Sequence, residues 1–325
     1  MNFFTGKPSP EALSFFKDRN ILDLAHFSKQ ELETIMNVAN YYEESLNAKK
    51  RLHDMDGKIL AALFFEPSTR TRLSFEAAMH RLGGNVITVT ESAGAQTSSL
   101  AKGETLSDSI TVINAYCDVI ACRSPIHGAR LEIAQAATVP VINCGDGVGQ
   151  HPSQALLDIY TIIKEKGGID GLTFALVGDL KNGRTVHSLV DALAMYDVKL
   201  IFVSPPELKM PSFIYDKLAA NGIPIEETDN LLYASKKADV LYMTRIQKER
   251  FEDVQEYERI KDVFILTDLH VALLPPGAII LHPLPRVNEI VTDVDSYPGA
   301  AYFRQAANGL PVRMALLALV TGCVL

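Results

Sequence analysis

The strongest constraint on this chain is a repeated alternation: a short apolar run, then turn residues, then a helical pattern. Ile59–Phe65 (ILAALFF) reads as a buried strand. Pro67 stops it, and Ser68 is a good helix N-cap. Thr69 to Leu82 follows as a helix with Phe75, Ala78, Met79 and Leu82 on one face. Strand patterns recur at Val86–Thr90, Val119–Cys122 and Val139–Asn143. A second series runs through Thr173–Val177, Lys199–Val203, Val240–Met243, Val263–Leu266 and Ile279–Leu281. Helices are expected within 21–50 from the Ser28 cap and its capping box with Glu31, then over 105–116, 153–166, 186–195, near 211–221 and over about 301–319. This alternation predicts an α/β chain of two domains, each a mainly parallel sheet covered by helices. A length of 325 residues fits that count.

Composition removes several function classes. A net charge of −8 leaves no basic stripe to replace counterions along a nucleic acid. Any anion must be bound by a few focused arginines. The four cysteines show no C-x-x-C spacing, so reduced thiols in a cytoplasmic protein are expected and a zinc site is not. The apolar runs fall short of a membrane span, and Met1–Pro10 lacks the basic start and apolar core of a signal peptide.

In an open α/β sheet, ligands sit beyond the carboxyl ends of the strands. Those ends are polar here. Ser68, Thr69, Arg70 and Thr71 open a helix and form a ready anion site. Val119–Cys122 ends in Arg123, and Val139–Asn143 runs into Gly145–Pro152 with His151. Residues 91–103 are small and polar and predict a mobile loop carrying Ser98 and Lys102. Taken singly, each has an ordinary structural reading: a cap, a core histidine, a solvated lysine. Gly178–Thr185 also fits G-x-x-x-x-G-K-[ST], except that Arg184 replaces the lysine. Val263–Asp268 could then pass as the acid-ended strand of a P-loop NTPase. The missing lysine, a compact point charge on the phosphates, counts against that alternative.

The motifs together decide more. They are Phe65-Glu66-Pro67-Ser68-Thr69-Arg70-Thr71-Arg72, Lys102-Gly103-Glu104-Thr105, Gly145-Asp146-Gly147 with His151-Pro152-Ser153-Gln154, Val177-Gly178-Asp179-Leu180 with Gly183–Ser188, Thr244–Arg250, and His282-Pro283-Leu284-Pro285-Arg286. Over nearly the whole chain this set resembles the aspartate/ornithine carbamoyltransferase family, on its aspartate-specific side. The resemblance implies a carbamoyl phosphate-binding domain at 1–151, joined by the C-terminal helix 302–325, and an aspartate-binding domain at 152–301. It implies transfer of the carbamoyl group of carbamoyl phosphate to the α-amine of L-aspartate, in pyrimidine biosynthesis, with no cofactor and no metal. Arg70, Thr71, Lys102, Arg123 and His151 would be catalytic. Ser68, Thr69, Ser98, Gln154, Leu284 and Pro285 would join them in binding carbamoyl phosphate. Arg184, Arg245 and Gln247, with Lys102 and Leu284, would bind aspartate.

The resemblance further implies a homotrimer in which Ser98 and Lys102 act from the neighbouring subunit, their loop closing as a lid. It leaves a zinc-bearing regulatory chain open. A related enzyme acting on ornithine would want acidic groups for the side-chain amine. A catalytically dead homologue would lack some site residue. His80, His187 and His282 are expected to be structural, as is Cys144. Arg72 is expected to pair with Glu66 or Glu104. Arg286 is expected either to order the Leu284-Pro285 turn or to meet substrate.

Overall fold

The structure, a computed structural model, describes residues 4, 10–90, 103–248, 251 and 253–324. Packing divides the chain into a first unit, residues 2–160 with 308–325, and a second unit, residues 161–307. In the first unit lie α1 (Pro10–Ser14), α2 (Lys29–Asn47), β1 (Ile59–Phe64), α3 (Thr69–Arg81), β2 (Asn85–Thr90), α4 (Leu106–Ile113), β3 (Val119–Ser124), α5 (Ala129–Ala136), β4 (Val141–Asp146) and the start of α6 (Pro152–Lys166). The second unit continues with β5 (Thr173–Val177), α7 (Arg184–Leu193), β6 (Lys199–Val203), α8 (Ser212–Ala220), β7 (Ile225–Thr228), α9 (Leu231–Ser235), β8 (Val240–Met243), α10 (Val254–Ile260), α11 (Asp268–Val271) and β9 (Ile279–Leu281). The division falls inside α6 and inside the last helix, α12 (Tyr302–Thr321).

Both sheets are parallel throughout. Strand order is β2-β1-β3-β4 in the first unit and β7-β6-β5-β8-β9 in the second. Inner strands covered on both faces read as continuous apolar runs rather than alternating ones. Leu60–Phe64, Phe174–Val177 and Val240–Met243 are accordingly all buried. The predicted helix face, Phe75, Ala78, Met79 and Leu82, is buried as well. The Ser28–Glu31 capping box forms as expected. The free edge of β4 is covered by the N-terminal segment: Ile21 bridges to Ile142, and the Asn20 side chain accepts from the Val141 N–H. The C-terminal part of α12 packs in the first unit, where Val320 O accepts from Asp18 N and the Thr321 hydroxyl meets the Met55 sulfur. Among the described residues, no helix is long and apolar enough to cross a membrane.

Three expectations need correction. Val263–Leu266 is not a strand of the sheet. It makes one isolated bridge, Leu266 to Ile290, because β9 takes the place beside β8. β7 and α9 were not expected, because Ile225–Thr228 (IEET) is a short, half-exposed edge strand without an apolar run. Arg72 lies 4.0 Å from Glu76, one turn along its own helix, while Glu66 pairs with Arg123 and Glu104 accepts from the Ser109 hydroxyl.

Gly178 ends β5 with φ +117°, and a Cβ there would lie 2.5 Å from the Thr244 carbonyl oxygen. Replacing Gly178 by Ala is expected to lower stability by roughly 2–3 kcal/mol, from positive-φ strain plus overpacking against backbone. Thermal unfolding of the variant would reveal it as a lower midpoint; an unchanged midpoint would mean that the loop adapts without strain.

Candidate active site

The first unit gathers its polar strand ends at one edge of the sheet. Phe64, the last residue of β1, is in register with Arg123 of β3, and the Phe65 N–H donates to Arg123 O at 2.9 Å. Ser124 is in register with Asp146 at the end of β4. Three neighbouring strands thus end level, and α3, Arg123 and the Asp146–His151 turn leave from that edge.

Ser68 stands at the N-cap of α3, but its side chain makes no capping hydrogen bond. Thr69, Arg70 and Thr71 form the first turn, with Thr71 buried. Arg70 is exposed as a residue, yet partial desolvation pulls its guanidinium below the ordinary arginine value. Uncapped N–H groups, the dipole end of a thirteen-residue helix and a guanidinium suit a phosphate. Arg123 is mostly buried, its Nε 3.1 Å from Glu66 Oε2.

The turn before α6 is built around Asp146, which is 1% exposed. Its carboxylate accepts from the N–H groups of Gln150 and Gly128 and from the Arg130 guanidinium. This holds His151 at the start of α6. His151 is buried, with the Ser153 hydroxyl 3.4 Å from its Nδ1. Gln154, in the first turn of α6, donates through Nε2 to Asp158 Oδ1 at 2.9 Å.

In the second unit, β5, β8 and β9 are adjacent, and each ends in sequence-predicted residues. Arg184 is the first residue of α7, Arg245 and Gln247 follow β8, and all three side chains are half-buried. The Gly178–Arg184 loop is not a phosphate cradle. The buried Asp179 carboxylate fills it, accepting from Asn182 N at 2.9 Å, and Gly183 leaves room for the Asp179 carbonyl. His187 closes the loop from α7, with Nε2 2.8 Å from Leu180 O. An acid at the loop centre would repel a triphosphate, so the P-loop alternative is set aside.

After β9, His282 is buried and its Nδ1 accepts from the Leu284 N–H at 2.8 Å. That fixes the tautomer, so Nε2 carries the proton and donates to Glu289 Oε1 at 2.7 Å. Glu289 also accepts from Val287 N and Asn288 N. The result is a braced turn that carries Leu284, at φ +56°, and Pro285. Arg286 orders its surroundings: it forms a two-point ion pair with Asp295, donates to the Tyr302 hydroxyl and stacks over the Tyr302 ring. His80 contacts Gly84 O at 3.2 Å, the structural role expected of it.

Ser98 and Lys102 lie outside the described residues. Among the described residues no group of three or more His, Cys, Asp or Glu could hold a metal ion. The motifs missed the pairing of Glu66 with Arg123, the bracing by Glu289, and the buried Arg313. A signal for Arg313 was present: it is the one charge in the apolar stretch Leu310–Val320, and a buried cation calls for a buried anion.

Family models match both parts of the chain: the carbamoyl phosphate-binding domain model of aspartate/ornithine carbamoyltransferases over residues 19–164, and their Asp/Orn-binding domain model over residues 170–320. The chain belongs to the aspartate/ornithine carbamoyltransferase family. A catalytic subunit of aspartate carbamoyltransferase from Thermococcus kodakarensis is 51% identical over 94% of this chain and 98% of its own length. Among solved structures of this family, the catalytic subunit of aspartate transcarbamoylase from M. jannaschii is 50% identical, covering 93% of this chain and 97% of its own, with a TM-score of 0.84. The Trypanosoma cruzi aspartate transcarbamoylase, in complex with carbamoyl phosphate and aspartate, is 38% identical with a TM-score of 0.89, over 95% of this chain and 98% of its own.

Burial alone would raise the Glu289 carboxyl, but the hydrogen bonds from His282 and the Val287 N–H hold it below the usual carboxylate range. Its contribution to stability is therefore full above the unfolded-state value of about 4.3 and fades as pH falls through the lower folded value. In urea unfolding, Glu289→Gln is expected to be less stable than the parent at pH 7, with the gap closing below about pH 4. A gap that widens in acid would contradict the ionised Glu289.

Proposed function

We propose that the protein transfers the carbamoyl group of carbamoyl phosphate to the α-amine of L-aspartate, giving N-carbamoyl-L-aspartate and phosphate. The observation that carries this reading is the 51% identity, over 94% of the chain, to an aspartate carbamoyltransferase catalytic subunit. The grouping of Ser68–Thr71, Arg123, His151 and Gln154 on level strand ends supports it.

In this reading residues 1–151 and 302–325 serve carbamoyl phosphate, and 152–301 serve aspartate. The α3 N-terminus, with the hydroxyls of Ser68, Thr69 and Thr71 and the Arg70 guanidinium, holds the phosphate. Attack of the amine builds negative charge on the carbonyl oxygen, and Thr71, Arg123 and His151 stabilise it as an oxyanion site. Gln154 holds the carbamoyl NH2 group. Arg184 and Arg245, helped by Gln247, take the two carboxylates of aspartate through paired hydrogen bonds. Leu284 and Pro285 offer carbonyl oxygens to the amide and amine hydrogens. The amine nitrogen adds to the carbonyl carbon to give a tetrahedral intermediate, which collapses as the carbon–phosphate oxygen bond breaks, the departing phosphate accepting the amine proton. Orientation of the two substrates supplies much of the rate. Ser98 and Lys102 come from a neighbouring subunit of a homotrimer and complete the site.

Two arginines and no acid among the aspartate-binding set favour a dicarboxylate over ornithine. In a carbamoyl-transfer assay offering both acceptors in parallel, aspartate is expected to be consumed. Turnover of ornithine alone would refute the proposal. Arg70→Ala should reduce kcat/KM about 10²–10³-fold, as removal of one charge-stabilising donor typically does. Mixing Arg70→Ala trimers with Lys102→Ala trimers under subunit exchange should restore activity, because some hybrid sites regain both residues. No recovery despite proven exchange would rule out the shared site.

A further inference from the structure

We infer that Asp158 is a positioning residue that fixes which end of the Gln154 amide meets the carbamoyl donor. The inference rests on the role given to Gln154 above and extends it to donor specificity.

The argument starts from what each group can do. Gln154 and Asp158 are one helical turn apart on α6, and Gln154 Nε2 donates to Asp158 Oδ1 at 2.9 Å. A carboxylate only accepts hydrogen bonds, whereas an amide has a donating and an accepting end. Turning the Gln154 amide over would set its oxygen against Asp158, acceptor against acceptor. Gln154 is 8% exposed and Asp158 fully buried, so water cannot readily rescue the wrong orientation. The amide is held one way, and no described residue engages its Oε1.

The lock needs an ionised Asp158, and a buried carboxylate stays ionised only beside a compensating charge. Arg313 of α12 is buried in the same unit, near enough for its charge to interact with that of Asp158. Burial draws this guanidinium down to about 10, while Cys144 and Asp158 act in the opposite direction. Two features hold Arg313 in place. Its guanidinium lies 5.3 Å from the centre of the Phe75 ring. Gly309 leaves the space it occupies, since a Cβ there would lie 2.1 Å from Arg313 Nη1.

The consequence is chemical selection. An oriented Oε1 accepts from the NH2 group of a carbamoyl donor. Acetyl phosphate has nearly the same shape but carries a methyl group there and cannot donate. A site that presents a committed acceptor discriminates against such an analogue far more than a site that is only shaped for it.

The test is the ratio of kcat/KM for carbamoyl phosphate to that for acetyl phosphate, with aspartate as acceptor, in wild type and Asp158→Asn. An asparagine can donate to Gln154 Oε1 and let the amide turn. The ratio is expected to fall about tenfold or more, through the carbamoyl donor and mainly in its KM. Asp158→Glu, which keeps a carboxylate, should retain most of the ratio. Because Asp158→Asn strands the Arg313 charge, the double variant Asp158→Asn/Arg313→Met, which removes both charges, should fold and show the same fall. In wild type without donor, the side-chain NH2 protons of Gln154 should exchange slowly with solvent. A ratio unchanged in the folded variants, a loss equal for both donors, or wild-type Gln154 protons exchanging as fast as an exposed glutamine would each overturn the positioning role. Wild type inactive with carbamoyl phosphate and aspartate would instead overturn the reading of the site, and this inference with it.

Discussion

The parallel register of the first sheet is the constraint on which the rest depends. Phe64 opposite Arg123 and Ser124 opposite Asp146 bring three strands to an end at one level. Everything proposed to touch carbamoyl phosphate within this unit leaves from that edge. A slip of one residue would turn each side chain to the opposite face. Leu60–Phe64 and Val119–Cys122, the strands that set this register, are almost wholly enclosed.

The sequence was most legible where one local signal sufficed. Apolar runs buried on both faces marked β1, β5, β6 and β8, and the Ser28–Glu31 box marked the start of α2. It was least legible at the edges. Ile225–Thr228 lacks an apolar run because an edge strand has less to bury, while Val263–Leu266 has the composition of a strand but no free ladder to join. The candidate site residues could be proposed from motifs in the chain alone. Their supports could not, because Glu66 and Arg123, Asp146 and Arg130, or His282 and Glu289 meet only after folding, and nothing in their spacing marks one as the partner of the other.

Those supports share a logic. Each places a buried or half-buried charge one step behind a residue that faces the ligand edge. Asp146 with Arg130 secures the turn that delivers His151. Glu289 with His282 secures the turn of Leu284. Buried charge pairs are a poor source of stability, because desolvation offsets most of their attraction. What they provide is geometry: an ion pair or a fixed tautomer admits few orientations, whereas an apolar contact admits many.

The last helix carries a consequence for how the chain is made. Residues 308–325 belong to the first unit, although the whole second unit lies between them and the rest of it. Arg313 is therefore added only after the whole second unit has been synthesised. Until then the first unit has β1 to β4 but an uncovered apolar surface where the C-terminal part of α12 will lie. The second unit has all of its strands before the first is complete. The first unit therefore has all of its residues only after the second does, although most of them precede it in the chain.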